Sequence, residues 1–239
     1  MQANVKGSTM PVLEFLLSPG ESIVSPHGEL SWMSPNIQMS QTTNSGGPGG
    51  FMAGLKRVVG GGGLFMTRYD ATGNGTALLC FASKVPGHIM PVDIQPHTPM
   101  IVHRHGWIAS TPGITANVAF QKTFTRSLFG GEGFVLQRLD GQGRAWIELS
   151  GELSHYTLGP GQQMLVHPGH IGMFEASVQF TMTTIKGIRN KVFGGDGLFL
   201  VVLTGPGQIW LQSMPLPNLA HSLEPYLPQP TENGNRWST

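Results

Sequence analysis

One local pattern, a run of glycines opening an apolar strand, occurs three times in this chain and limits the fold more than any other feature. It reads Val58-Val59-Gly60-Gly61-Gly62-Gly63-Leu64-Phe65, then Leu128-Phe129-Gly130-Gly131-Glu132-Gly133-Phe134-Val135. The third copy is Val192-Phe193-Gly194-Gly195-Asp196-Gly197-Leu198-Phe199. A second pattern follows each: Gly73-Asn74-Gly75, Gly141-Gln142-Gly143 and Gly205-Pro206-Gly207, every one leading into an apolar run. From copy two to copy three both patterns move by the same 64 positions (194 − 130 and 205 − 141). A fixed internal period is the mark of a repeated structural unit.

A third pattern precedes the other two, with Pro19, Pro96 and Pro160 at matching places. Its steps are 77 (96 − 19) and 64 (160 − 96), so the first copy is longer. The extra length lies mostly in Gln41–Gly54, rich in Gly, Ser, Thr and Asn, which reads as an excursion loop. Gly-x-Gly between apolar runs reverses the chain as a hairpin. The runs Leu64–Tyr69, Phe134–Leu139 and Leu198–Leu203 are apolar and of strand length. The best helical segment is a short turn near Pro217–Leu223.

The fold class expected is therefore all-β. Three tandem β-rich repeats, about 12–91, 92–155 and 156–215, form one domain over 12–215, a sandwich or barrel with pseudo-repeat symmetry. Residues 216–239 are expected to be an irregular C-terminal tail. The glycines Gly60, Gly63, Gly130, Gly133, Gly194, Gly197, Gly141, Gly143, Gly205 and Gly207 are read as structural turns.

Charge excludes some functions. Only 11% of residues are charged, against roughly 25% in an average soluble chain. Net charge is +1, from 14 basic and 13 acidic residues with no long run of either sign. A phosphate-backbone binder needs clustered Lys and Arg, so nucleic acid is not the expected partner. The only cysteine is Cys80, which suits a reducing compartment. Met1–Leu17 has no charged-then-apolar leader pattern, and no apolar run approaches a bilayer span, so a cytoplasmic protein without a transmembrane segment is expected.

The segments 194–200 (Gly-Gly-Asp-Gly-Leu-Phe-Leu) and 204–213 (Thr-Gly-Pro-Gly-Gln-Ile-Trp-Leu-Gln-Ser) resemble the C-terminal hallmark of the "altered inheritance of mitochondria 24" family. Pro19-Gly20-Glu21 and Gly130-Gly131-Glu132-Gly133 also fit, and the resemblance runs from about Val12 to Pro215. It implies a fold similar to the tryptophan RNA-binding attenuation protein, a variant of the double-stranded β-helix class. It also implies internal duplication and oligomerisation, with a trimer favoured over a dimer. It implies no reaction and supplies no catalytic residues.

Histidines are the one candidate chemistry. His103-Arg104-His105 would put two imidazoles on one strand face, with His97 nearby and His167 and His170 in the next copy. No carboxylate follows His105 through Thr111, so turn or surface histidines are preferred and no metal or cofactor is expected. The glycine stretches Gly46–Gly50 and Gly60–Gly63 lack the Lys-Ser/Thr of a phosphate loop. No nucleophile motif is present, and Glu132 and Asp196 read as turn residues. Trp146 and Trp210 are matched and read as packing residues. Cys80 falls in register with Glu148 and Gln212. The leading reading is a non-enzymatic oligomeric scaffold or binding protein. A small-ligand or metal-binding β-barrel using His103, His105, His167 and His170 is the alternative. RNA binding by fold analogy is the third.

Overall fold

Apolar residues at every second position bury one face of a strand. The run Val12–Leu17 obeys this rule: Leu13, Phe15 and Leu17 are fully buried and their neighbours half-buried. A computed structural model describes residues 1–43, 65–122, 133–184 and 199–227. Its strands begin with β1 (Gln2–Lys6), β2 (Val12–Leu17), β3 (Ser22–Pro26), β4 (Trp32–Met33), β5 (Ile37–Thr43), β6 (Phe65–Ala71) and β7 (Ala77–Ala82). They continue with β8 (Gly87–Ile94), β9 (Met100–His103), β10 (Trp107–Ser110), β11 (Ile114–Lys122), β12 (Phe134–Gly141) and β13 (Gly143–Ser150). The remainder are β14 (Leu153–Leu158), β15 (Gln163–Val166), β16 (Ile171–Glu175), β17 (Gln179–Thr184), β18 (Phe199–Thr204) and β19 (Gly207–Gln212).

The protein is all-β, and every ladder is antiparallel. Two sheets have six strands, in the orders β5-β6-β3-β10-β13-β8 and β11-β12-β9-β16-β19-β14. Adding six to each strand number converts the first order into the second. A four-stranded sheet, β1-β2-β7-β4, and a three-stranded sheet, β15-β18-β17, take the remaining strands. Among the described residues the sheets stay open and no barrel closes, so the barrel form of the expectation is not adopted.

Each six-stranded sheet lies between two cores. Ile23 and Tyr69 face a first core with Leu13, Phe15 and Phe81, whereas Val24 and Met66, on the same strands, face a second core. Trp146 of β13 reaches back into the first core, its ring edge-on to Phe15 at 4.7 Å. Ile101 and Leu136 likewise turn to a third core with Phe174, Val201 and Leu203.

The second glycine of the Gly-x-Gly pattern has a steric reason. Gly75, Gly143 and Gly207 all have positive φ (95°, 150° and 147°). A Cβ on Gly143 would run into the Thr111 hydroxyl, and one on Gly207 would lie 2.6 Å from Ser177 Oγ. Gly141 ends β12 at φ 110°, Gly133 precedes it at φ 73°, and Gly205 enters a cis bond to Pro206. Gly60, Gly63, Gly130, Gly194 and Gly197 lie outside the described residues. Of the excursion loop, Gln41–Thr43 belong to β5 and the rest lies outside them.

The tail expected to be irregular from residue 216 starts with a helix, α1 (Leu216–Leu223), followed by a 3-10 turn at Glu224–Tyr226. Pro217 sits in the first helical turn, where its missing N–H costs nothing. Leu216, Leu219, Ala220 and Leu223 fall at helical spacing along it.

Candidate functional site

β9 ends at His103, and Arg104–Gly106 form a turn into β10. His103 and His105 therefore do not share a strand face, contrary to the i, i+2 reading. The reason is local: Gly106 N–H donates to the His103 carbonyl at 2.9 Å, which closes the turn. A Cβ on Gly106 would stand 2.8 Å from the His103 ring, so this glycine lets the ring lie over the turn.

The His103 ring has a structural partner. Its Nε2 donates to the Glu148 carbonyl at 3.0 Å, which puts the ring proton on Nε2, since a carbonyl only accepts. The Glu148 N–H donates to the Gly106 carbonyl at 2.7 Å. Burial holds the imidazole down at about 4, so it is neutral at neutral pH. The Glu148 carboxylate is itself buried, 5% exposed, and accepts from Lys84 N–H at 3.0 Å and from the Ser83 hydroxyl. Lys84 Nζ pairs with Glu29 at 2.6 Å. Burial nevertheless raises the Glu29 carboxyl above its usual range, against the pull of Lys84.

The matching turn in the next copy is built differently. Pro168–His170 form a 3-10 turn, closed by His170 N–H donating to the His167 carbonyl at 2.9 Å. His170 Nδ1 donates to the Gln212 carbonyl at 2.8 Å. Gln212 accepts from Ser150 N–H at 3.0 Å and donates to the Gly169 carbonyl at 3.1 Å. The His167 and His170 rings meet edge-on, 5.9 Å apart. Burial first, then the neighbouring His170, lowers His167.

Between the two turns lies a cavity of about 300 Å³, walled by His103, Phe134, Pro168 and Ile171 and by Leu216 and Ala220 of α1. A second hollow of about 310 Å³ adjoins it on the side of Lys84, Glu148 and Ser150, sharing His103, His105 and Leu216. Arg104 and His105 are exposed beside it. Chemically this is an apolar recess with cationic or neutral nitrogen donors at its edge. Two of the four candidate metal ligands, His103 and His170, already bond backbone carbonyls. Among the described residues no group of three or more His, Cys, Asp or Glu side chains is placed to hold a metal ion.

The other singled-out residues lie apart from this recess. His97 is exposed in the turn before β9. Trp146 is 2% exposed in the first core; Trp210 is half-buried and stacks on His155 at 4.8 Å. Cys80 is fully buried, and burial raises its thiol. Cys80, Glu148 and Gln212 thus share one buried position, two of them holding neighbouring loops. Sequence reading noted that register but not the role of Glu148. The available signal was a carboxylate inside the otherwise apolar run Ala145–Leu149.

Open antiparallel sheets that share their cores, with His103 and His170 tied to backbone carbonyls, define an all-β chain. Residues 3–214 match the family described as mitochondrial biogenesis AIM24, and the chain belongs to that family. An uncharacterized protein of Streptococcus pyogenes serotype M6 is 23% identical over 222 residues, covering 91% of this chain and 87% of the relative. A crystal structure of another Streptococcus pyogenes protein superposes with a TM-score of 0.72 at 19% identity, covering 95% of this chain and 99% of that one. That likeness concerns the fold alone. Among the described residues no helix is long and apolar enough to cross a membrane.

Proposed function

We propose that this protein is a non-enzymatic binding or scaffold protein that works as a homo-oligomer. Within it, residues 12–215 act as one body of three six-strand units. The observation that carries the reading is the use made of the candidate chemistry: His103 and His170 bond the backbone of β13 and β19, and Glu148 and Gln212 bond the backbone of adjoining turns. Groups spent on holding strands are not poised for proton transfer or nucleophilic attack. The sparse charge and near-neutral balance favour association. The lone buried Cys80 fits the cytoplasm. Light scattering coupled to size exclusion tests it: a mass that is a multiple of 25.7 kDa is expected, and a concentration-independent 25.7 kDa species refutes it.

The recess between the His103 and His167 turns supports a second reading, binding of a small amphiphile. Its walls are mostly apolar, as ligand sites usually are. Native mass spectrometry of gently purified protein distinguishes the two, since only this reading expects an added mass of a few hundred daltons that Ala220→Trp removes.

A further inference from the structure

Two of the four sheets stop at strands whose counterparts continue. β3 lies between β6 and β10, and β9 between β12 and β16. β15 holds the same place in the next set, yet among the described residues only β18 pairs with it. On the other side of the joint, β10 connects β13 to β3, and β16 connects β19 to β9. Among the described residues their counterpart β4 pairs only with β7 and ends its sheet. Among the described residues the chain therefore carries both halves of a joint that it makes twice internally and leaves open a third time.

Burial follows the same logic. Val24, Ile101 and Leu165 stand five residues after Pro19, Pro96 and Pro160. The first two are 8% exposed, whereas Leu165 is 56% exposed. Met66 and Leu136 are 1% exposed, while their counterpart Leu200 is half-exposed. On the β4 side Trp32 is 48% exposed. Among the described residues, therefore, nothing covers these two ends.

Composition separates this open edge from a protected one. Exposed edge strands are normally guarded by charge. The strands β15 (QMLV), β17 (QFTMTT) and β18 (FLVVLT) hold no charged residue. Arg68–Asp70 and Arg138–Asp140 form ion pairs on β6 and β12, but the matching residues of β18 are Val202 and Thr204.

We propose that the β15–β18 end of one copy receives the β4–β7 end of a second copy, head to tail, by the joint that already links β3 to β10 and β9 to β16. This rests on the homo-oligomeric reading above and names its interface. The shortness of β4, with Pro35 just after it, is no obstacle: the β10–β3 joint is registered by the single pair Ser110↔Val24. Ser110 and Phe174 stand three residues after Trp107 and Ile171, which pair with Ile147 and Leu211. Met33 pairs with Leu79 at the matching place, and Ser34 N–H donates to the Leu78 carbonyl directly after it, without the bulge residue of β10 and β16, so Pro35 of one copy comes opposite Leu165 of the next. A head-to-tail contact is heterologous and gives a ring if its rotation closes, an open chain if not.

The test uses the full-length chain and two readouts. In light scattering, Leu165→Asp should raise the dissociation constant by about tenfold or more. Val118→Asp, at a site on β11 that is 42% exposed, should leave the assembly intact. In a Cys80→Ala background, Pro35→Cys and Leu165→Cys proteins are mixed under mild oxidation; a disulfide-linked dimer is expected from the mixture and not from either alone. An oligomer that survives Leu165→Asp and gives no mixed disulfide overturns this interface while the oligomeric reading stands. A wild-type monomer at every concentration overturns both. A chain carrying both cysteines that cross-links only within itself overturns the second-copy assignment. If Leu165→Asp fails to fold by circular dichroism, the mixed disulfide decides alone.

Discussion

Acidification should loosen this protein through one imidazole. Burial lowers His103 from the ordinary 6.5 to about 4. Between those values the unfolded chain binds a proton that the folded chain refuses, so stability falls as pH falls. At about 1.4 kcal/mol per tenfold change in proton affinity, the full loss is about 3 kcal/mol. About 2 kcal/mol of it is gone by pH 5. The contribution is intact above pH 6.5 and lost as the pH drops to about 4. His167 is lowered by burial and adds to the same trend. The perturbation is His103→Gln, whose side-chain amide can still donate toward the Glu148 carbonyl but does not titrate. The assay is urea unfolding at pH 7.5, 6 and 5 for both proteins. Wild type should lose about 2 kcal/mol more than the variant across that range. Parallel pH profiles would show that His103 is not protected from protonation by the fold, and the reasoning would fail.

Glu148→Ala leaves Lys84 N–H without its acceptor and the Ser83 hydroxyl with only the Val85 carbonyl, and should cost about 2 kcal/mol in urea unfolding, with Glu148→Gln recovering most of it. Phe15→Ala empties a place against Phe81 and Trp146 and should cost about 4 kcal/mol, read as a lower midpoint. Binding to single-stranded RNA should be weak and steeply lost as salt rises, measured by fluorescence anisotropy; sequence-selective binding at physiological salt would contradict the charge argument.

Local chain reversals were legible because they depend on near neighbours alone. Gly75, Gly143 and Gly207 need positive φ wherever the hairpin sits, so spacing reveals them. Trp146 was legible as packing because its flanks are apolar. That His103 and His105 share no strand face was not legible, since β9 ends at the backbone bond from Gly106 N–H to the His103 carbonyl, in a turn whose glycine leaves room for the His103 ring. α1 was half-legible: its apolar spacing was visible, but the polar, proline-rich residues after it suggested an irregular tail. The joints between β3 and β10 and between β9 and β16 left almost no local trace. They link strands far apart in sequence through a few residues, and short apolar runs do not name their partners.

The sharing of cores has a consequence for synthesis. The first core takes Ile89, Ile108, Ala109 and Trp146 from strands translated after β7 is complete. When the first six strands of that set emerge from the ribosome, their apolar wall still lacks the Trp146 ring that seals Phe15. The nascent chain must hold that surface exposed while about 65 more residues are added, some seconds at ordinary elongation rates. A partner that shields bare β-sheet therefore matters most during the middle third of translation, and slow codons after β7 would lengthen the hazard rather than relieve it.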